Sequence, residues 1–492
     1  MTLAFDNSYA RLPERFYART RPTPVAGPRL IRVNGELAAL LGIDADWLAG
    51  PEGVAVLAGN AVPEAAASIA LAYAGHQFGH FVPQLGDGRA LLLGELVGTD
   101  GVRRDVQLKG SGPTEFSRRG DGRAALGPVL REYVVSEAMQ ALGVPTTRAL
   151  AAVTTGERVI RETALPGAVL ARVARSHVRI GTFQFFAARQ DIEAVRLLAD
   201  HVIERHHKQA RDAERPYLAL LEAVAEVQAR LVAHWLSIGF VHGVMNTDNC
   251  SISGETIDYG PCAFLEEYHP GTVFSSIDRQ GRYAFANQPG IALWNLARLA
   301  DALLPLIDAD QERAVALAQD ALEKFKGWFE QAFAARLRAK LGLESAEAGD
   351  ADLAEAFLTL MEEGAADFHL AWRRLADAAD GDAAPLLSLF NNPDEVAGWL
   401  ARWRERSARD GRHAGQAAQI QAARIRAVSP LYVPRNHLVE RVIRAGEDAG
   451  DFEPFEQLLA VLSDPFTERE GLAEYARPAR DDERVLRTFC GT

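Results

Sequence analysis

Cysteine is scarce in this chain. Cys250, Cys262 and Cys490 are too few for a secreted disulfide framework, so a reducing compartment is expected. No apolar run approaches the roughly 20 uninterrupted residues of a membrane span. Met1 to Asn7 lack the basic-then-apolar order of a secretory leader. The expectation is a cytoplasmic protein with no membrane partner. Positive charge is also in deficit: a net charge of −13 argues against a general nucleic-acid surface. Lysine is scarcest, with Lys109 the only one before Lys208 in a chain that otherwise uses arginine. An ammonium is a compact point charge on a flexible stem, so a solitary lysine marks a candidate site. What remains is 48% hydrophobic and 24% charged over 492 residues, a folded chain of two or three packed units.

The order of apolar patterns predicts an α+β protein. Residues 1–60 mix turns with one helical pattern near Asn34 to Leu41, and an Ala-rich helix is expected over 63–75, ending at Gly75. His76 and His80 are four apart, but Gly79 between them disfavours the helix that would bring them to one metal, so they read as structural. Gln84 to Glu95 reads as strand, glycine turn and strand, and Val102 to Lys109 as another strand, giving a small antiparallel sheet. Pro128 and Gly143 bracket a helix over 129–142, and further strands fall within 146–175. From about 180 the pattern is helical, with 191–210, 216–238 and 290–345 the clearest segments, and an acidic break at 344–352 marks a boundary. A small sheet lobe, a helix, then a mostly helical lobe is the layout of a two-lobed protein-kinase-like fold, followed here by a helical C-terminal extension. The expected units are 1–60 as an N-terminal wrap, 61–175, 176–345 and 346–492.

The chemistry concentrates in His242-Gly243-Val244-Met245-Asn246-Thr247-Asp248-Asn249, followed by Asp258-Tyr259-Gly260. Kinase catalytic loops have the form H-R-D-x-x-x-x-N and precede a metal-binding D-F-G. His242 and Asn249 keep that spacing, but Val244 occupies the position of the catalytic aspartate. Asn249 and Asp258 offer the oxygen ligands that magnesium prefers. Asp248 is the one carboxylate of the loop not claimed as a ligand, free to accept a proton or to assist the metal. Lys109 at a strand end and Glu132 in the next helix repeat the kinase Lys–Glu pairing, with Glu137 a competing partner. Gly86-Asp87-Gly88-Arg89 can bring backbone amides near phosphates, although Leu91 stands where a third glycine would complete G-x-G-x-x-G. Arg172 and Arg179 are suited either to bidentate phosphate contact or to ion pairs.

Taken in order, Gly86 to Arg89, Leu108-Lys109-Gly110-Ser111-Gly112, Arg118-Arg119-Gly120-Asp121-Gly122-Arg123, the 242–249 loop, Asp258 to Phe264 and Pro434-Arg435-Asn436-His437 resemble the selenoprotein O family of pseudokinase-fold protein adenylyltransferases. The likeness runs to Cys490-Gly491-Thr492. It implies transfer of AMP from ATP, bound inverted relative to kinases, to Ser, Thr or Tyr hydroxyls of proteins, releasing pyrophosphate. UMP transfer from UTP is also attributed to bacterial members. By the same resemblance Asp248 is the proton acceptor, and Asn249 and Asp258 hold Mg2+ (or Mn2+). Gly86, Gly88, Arg89, Lys109, Asp121, Gly122, Arg172 and Arg179 contact the nucleotide. Some relatives carry selenocysteine where this chain has Cys490, and pairing of Cys262 with Cys490 would make activity redox-dependent. An atypical kinase and a nucleotide-binding pseudokinase scaffold are the alternative readings.

Overall fold

Alternation along one strand organises the first half of the chain. Val106 and Leu108 of strand Arg103–Lys109 are buried on one side, and Asp105, Gln107 and Lys109 project to the other. In this computed structural model, which describes residues 3–410 and 417–489, that strand is central in an antiparallel sheet. The order across the sheet is Tyr17–Arg19, Ile69–Leu71, Ala90–Val97, Arg103–Lys109, Ala164–Ala174, Arg148–Ile160 and Arg29–Val33. The short strand Ala124–Ala125 pairs onto Ala164–Ala174. One face buries Leu91, Leu93, Leu108, Val153 and Ala171 in a common core with Leu37, Leu48 and Leu57 of the helices Gly35–Leu40, Ala45–Ala49 and Pro51–Leu57. The other receives helix Leu126–Ala141, whose Leu130, Tyr133 and Val134 meet Ala152 and Leu170.

The helix expected over 63–75 is not formed. Ile69–Leu71 is a strand paired in register with Tyr17–Arg19, and its three side chains are buried. The helical preference of alanine, a fraction of a kcal/mol per residue, loses here to pairing between two neighbouring strands. The stretch 84–89 is likewise not a strand. Its backbone amides bend away to the carbonyls of Tyr73 and Leu71.

The helical part is built around Pro216–Ser237, which packs on Gln288–Ile307 and Gln311–Lys340. The stretch 285–307 has the length and apolarity of a membrane helix, but its Leu296, Leu299 and Leu303 are sealed in the protein core. Strand Phe240–Val241 pairs with Ala263–Phe264 and clamps the 242–249 and 258–262 loops side by side. A second core, with Phe357, Trp372, Trp399 and Trp403, continues across the acidic stretch at 344–350. The last helices return to the sheet. Asn436–Arg444 and Glu453–Leu462 pack on Leu126–Ala141, with Tyr133 edge-on to Phe455 at 5.2 Å, and Glu447 accepts from the Gly127 amide at 3.0 Å. The C-terminal helices therefore brace the helix that carries Glu132.

Candidate active site

Strand geometry sets the first part of the site. Lys109 and Gln107 share a face of Arg103–Lys109, and the register pairs Gln107 with Arg172 of the neighbouring strand. Glu132, on the helix packed over that face, takes Lys109 Nζ at 2.5 Å and Arg172 Nη1 at 3.0 Å. Glu137, the competing partner, is held by Arg148 at 2.7 Å and by Asn34, so Lys109 pairs with Glu132.

Asp258 closes the cluster from the helical side. Its Oδ1 accepts from Lys109 at 3.1 Å and Arg172 at 2.7 Å, and its Oδ2 lies 3.6 Å from Arg179. Its φ of +65° is a left-handed conformation that a non-glycine residue adopts only when held there. Arg131, next to Glu132, does much of the holding by donating from Nε to Gly260 O at 2.8 Å and from Nη2 to Cys262 O. Burial alone would raise the Asp258 pKa, but Arg172, Lys109 and Arg179 together pull it well below the usual carboxylate range. Glu132, also buried, is lowered by Lys109 and Arg172.

Asp248 experiences the opposite balance. It sits in the short 3-10 turn Thr247–Asn249, is nearly inaccessible, and burial pushes its pKa up to about 6. Gln77 donates to its Oδ2 at 3.1 Å, while Oδ1 is buried without a hydrogen-bond partner. Asn249 is oriented by its side-chain amide, which donates to Val244 O at 2.9 Å. His242 is buried, accepts from the Val244 amide and lies 2.9 Å from Ile257 O, so it supports the loop from behind.

These loops and strands enclose one cleft of about 780 Å³. The structure brings Gly86, Gly88, Arg89, Lys109, Asp121, Gly122, Glu132, Arg172, Arg179, Asp248, Asn249 and Asp258 to its walls. The glycines have a packing reason as well. A Cβ on Gly86 would fall 2.2 Å from the Phe116 ring, and one on Gly88 2.8 Å from Phe116 O. Asp121 lies at the rim, bound by Arg161 at 2.8 Å. Arg179 stacks on Tyr73, with its guanidinium carbon 4.3 Å from the ring centroid. Cys262 is buried beside the cleft and unpaired among the described residues, with burial pushing its thiol up to about 11. Cys490 lies outside the described residues.

Several residues of the site escape sequence reasoning. Asp87 anchors Arg179 at 3.5 Å and accepts from Gln107 and the Leu71 amide. Its place inside the Gly-Asp-Gly turn was the available signal. Gln107, Arg131 and Gln77 carried none, because their roles exist only through contacts distant in sequence.

Among the described residues no group of three or more His, Cys, Asp or Glu could hold a metal ion. The cleft does offer oxygen donors of the hard-cation kind in Asp258, Asn249 and the partnerless Oδ1 of Asp248. One or two protein ligands completed by phosphate and water is the usual magnesium arrangement, and this donor set fits it.

A cleft where three cations converge on an ionised aspartate, beside a second, buried aspartate of raised pKa, is the equipment of a nucleotide-handling transferase. The chain belongs to the family of protein adenylyltransferase SelO, whose model matches residues 1–463. It is similar to the protein nucleotidyltransferase YdiU of Rhodopseudomonas palustris strain BisB5, with 61% identity over 490 residues covering 99% of both chains. The YdiU proteins of Bradyrhizobium sp. strain BTAi1, 61% identical over 489 residues, and Bradyrhizobium diazoefficiens, 60% identical over 489, also cover 99% of each chain. The protein is an enzyme of the nucleotidyltransferase class.

Proposed function

We propose that this enzyme transfers AMP from ATP to Ser, Thr or Tyr hydroxyls of cytoplasmic proteins, on a two-lobed kinase-like fold with units at 61–175 and 176–345. The observation that carries the reading is the contrast between Asp258, held ionised by Lys109, Arg172 and Arg179, and Asp248, poised near neutrality by burial. Lys109, Arg172 and Arg179 supply the charge that a triphosphate needs, with Gly86, Gly88, Arg89, Asp121 and Gly122 along its path. The acceptor hydroxyl loses its proton to the Asp248 carboxylate as its oxygen bonds to the α-phosphorus. The bond from that phosphorus to the bridging oxygen breaks, and pyrophosphate leaves with the electron pair. Asn249 and Asp258 would hold Mg2+ or Mn2+, which supplies neutralising charge to the phosphates when bound.

Incubation with ATP labelled at the α or the γ phosphate tests the reading. Label retained on protein from the α position, lost on chelation, is the expected result. Retention from γ instead would make this a kinase, and retention from neither a scaffold. Parallel reactions with UTP decide whether UMP is also transferred. The Cys262–Cys490 pairing belongs to the same proposal, and it gains support from Thr488, whose hydroxyl donates to Pro261 O at 2.6 Å and whose amide donates to Phe274 O at 2.8 Å. Reductant titration of wild type against Cys490→Ser should separate the two proteins, and identical activity at every potential would refute the pairing.

A further inference from the structure

Exposed apolar side chains are concentrated at one place on this molecule. Among the described residues the most exposed large ones are Leu486 at 73%, Ile160 and Phe489 at 68%, and Ile277 at 55%. Ile160, Ile277 and Phe489 all line the mouth of the cleft, and Leu486 precedes Phe489 closely in the chain. Single apolar residues scattered over a surface need no explanation, but a group at the entrance to a site marks where a partner sits. Both sides of the cleft contribute. Ile160 ends strand Arg148–Ile160 on the sheet side. On the helical side Thr488 pairs with Ser275. The Thr488 amide donates to Phe274 O at 2.8 Å and its carbonyl accepts from the Ser276 amide at 3.0 Å, which sets Phe489 and Ile277 on one lip. That lip is tied to the 242–249 loop. Asp278, next to Ile277, accepts from the Tyr283 amide at 2.7 Å, and Tyr283 OH donates to Asn246 Oδ1 at 2.6 Å. Phe78, at the turn of the hairpin Gly75–Gln77 and His80–Val82, packs on Tyr283 at 5.1 Å between ring centroids and lines the same cleft.

We propose that Ile160, Ile277 and Phe489 form a docking lip for the acceptor polypeptide, gripping an apolar side chain next to the hydroxyl residue that is modified. The inference deepens the AMP-transfer reading and rests on it. A protein nucleotidyltransferase brings a polypeptide to this cleft in every turnover, so the entrance is a surface that a protein must cover. The lip selects by apolar contact, because the carboxylates nearby are already engaged. Asp278 is buried and accepts from the backbone amides of Arg282 and Tyr283, and at the opposite rim Asp121 is paired with Arg161 at 2.8 Å. A leucine, isoleucine or phenylalanine beside the acceptor hydroxyl takes these exposed faces out of water, whereas a glutamine or a charged residue leaves them wet. The three side chains stand on both sides of the cleft, so a chain lying across its mouth meets all of them.

Synthetic peptides test this, each with one central Ser, Thr or Tyr flanked on both sides by leucine or on both sides by glutamine. In transfer from α-labelled ATP the leucine peptides should show a KM about tenfold lower, the lower end of what one apolar contact discriminates. Ile160→Gln combined with Ile277→Gln keeps the side-chain size at two exposed positions and should bring both peptides to the same KM. The KM for ATP and the melting temperature should stay at wild-type values, and leucine at both positions should preserve the discrimination. Equal KM values for the two peptides in wild type would overturn the proposal while leaving AMP transfer standing. Loss of ATP affinity in step with the leucine preference would make the lip part of the nucleotide site and overturn it too. Label on neither peptide also overturns it, and AMP transfer is then judged by the α and γ labelling described above. Light scattering examines the other occupant. A wild-type dimer that dissociates in the double variant would make the lip a contact between copies of this chain, again overturning the proposal.

Discussion

Arg172→Ala removes one of the two cations that join Glu132 to Asp258, and its effect should depend on pH in a specific way. Arg172 is almost wholly buried, donates to Asp258 at 2.7 Å and Glu132 at 3.0 Å, and is itself oriented by Gln107 at 2.6 Å. Its loss leaves Asp258 and Glu132 sharing Lys109 as the nearest cation, each raising the pKa of the other. Breaking a buried pair by deleting one partner costs about 3–5 kcal/mol. Asp258 is depressed in the folded protein, so in wild type its stabilisation is present above its unfolded value of 3.8 and is lost as pH falls through the lower folded value. In the variant that depression is largely removed. The two proteins should thus differ by about 3–5 kcal/mol at pH 7, and the gap should narrow below about pH 5 as the crowded carboxylates take up protons. Denaturant unfolding of both proteins across pH 4–8 measures this. A difference under about 1 kcal/mol at pH 7, or one that does not change with pH, would refute the account of the cluster.

Asp248→Asn should lower transfer by about 10²–10⁴-fold, and wild-type transfer should fall as pH drops through about 6, where Asp248 becomes protonated. A pH–rate profile on both proteins checks this. Gly86→Ala should impair both folding yield and nucleotide affinity, because φ is +70° and the new Cβ would meet the Phe116 ring at 2.2 Å. Pairing it with Phe116→Ala should recover part of the loss in a melting assay. Lys340 is buried, lies 5.5 Å from the Trp372 ring centroid and is pulled by burial down to about 7. Its protonated form therefore destabilises the fold, and stability should rise between pH 7 and the ordinary lysine range. Lys340→Met should raise stability at pH 7 by about 2 kcal/mol and flatten that slope in thermal melts.

The parts of the site that were legible in the sequence are those whose geometry is local. His242 through Asn249 and Asp258 through Gly260 sit on two loops clamped by a four-residue ladder, so spacing along the chain carried over into space. Lys109 was legible because a strand end and the following helix set its surroundings. The choice between Glu132 and Glu137 was not, since it turned on where Arg148 lies, and Arg148 belongs to a strand beginning after the helix. The misread stretch 63–75 shows the same limit. Alanine content favoured a helix, and only the neighbouring strands, at residues 17–19 and 90–97, made it a strand. With that error the Gly75–Val82 hairpin was lost, and with the hairpin Gln77.

Asp248 and Asp258 lie ten residues apart, have the same side chain and face the same cleft, yet their pKa values are driven in opposite directions. Burial raises both. What separates them is the count of cations within reach: Arg172, Lys109 and Arg179 for Asp258, but only Arg179 for Asp248. A carboxylate that stays ionised under all working conditions suits a cation and phosphates. One near neutrality can take a proton from an incoming hydroxyl and give it up again. The valine at 244 then has a physical meaning. Val244 lines the cleft and is itself buried, so the position where a kinase keeps its base contributes no charge, and Asp248, the proton acceptor proposed above, stands four residues on, next to Asn249. An aspartate restored at 244 would put a third carboxylate into the same buried space. It should raise the pKa of Asp248 further and slow transfer at pH 7, rather than convert the enzyme into a kinase.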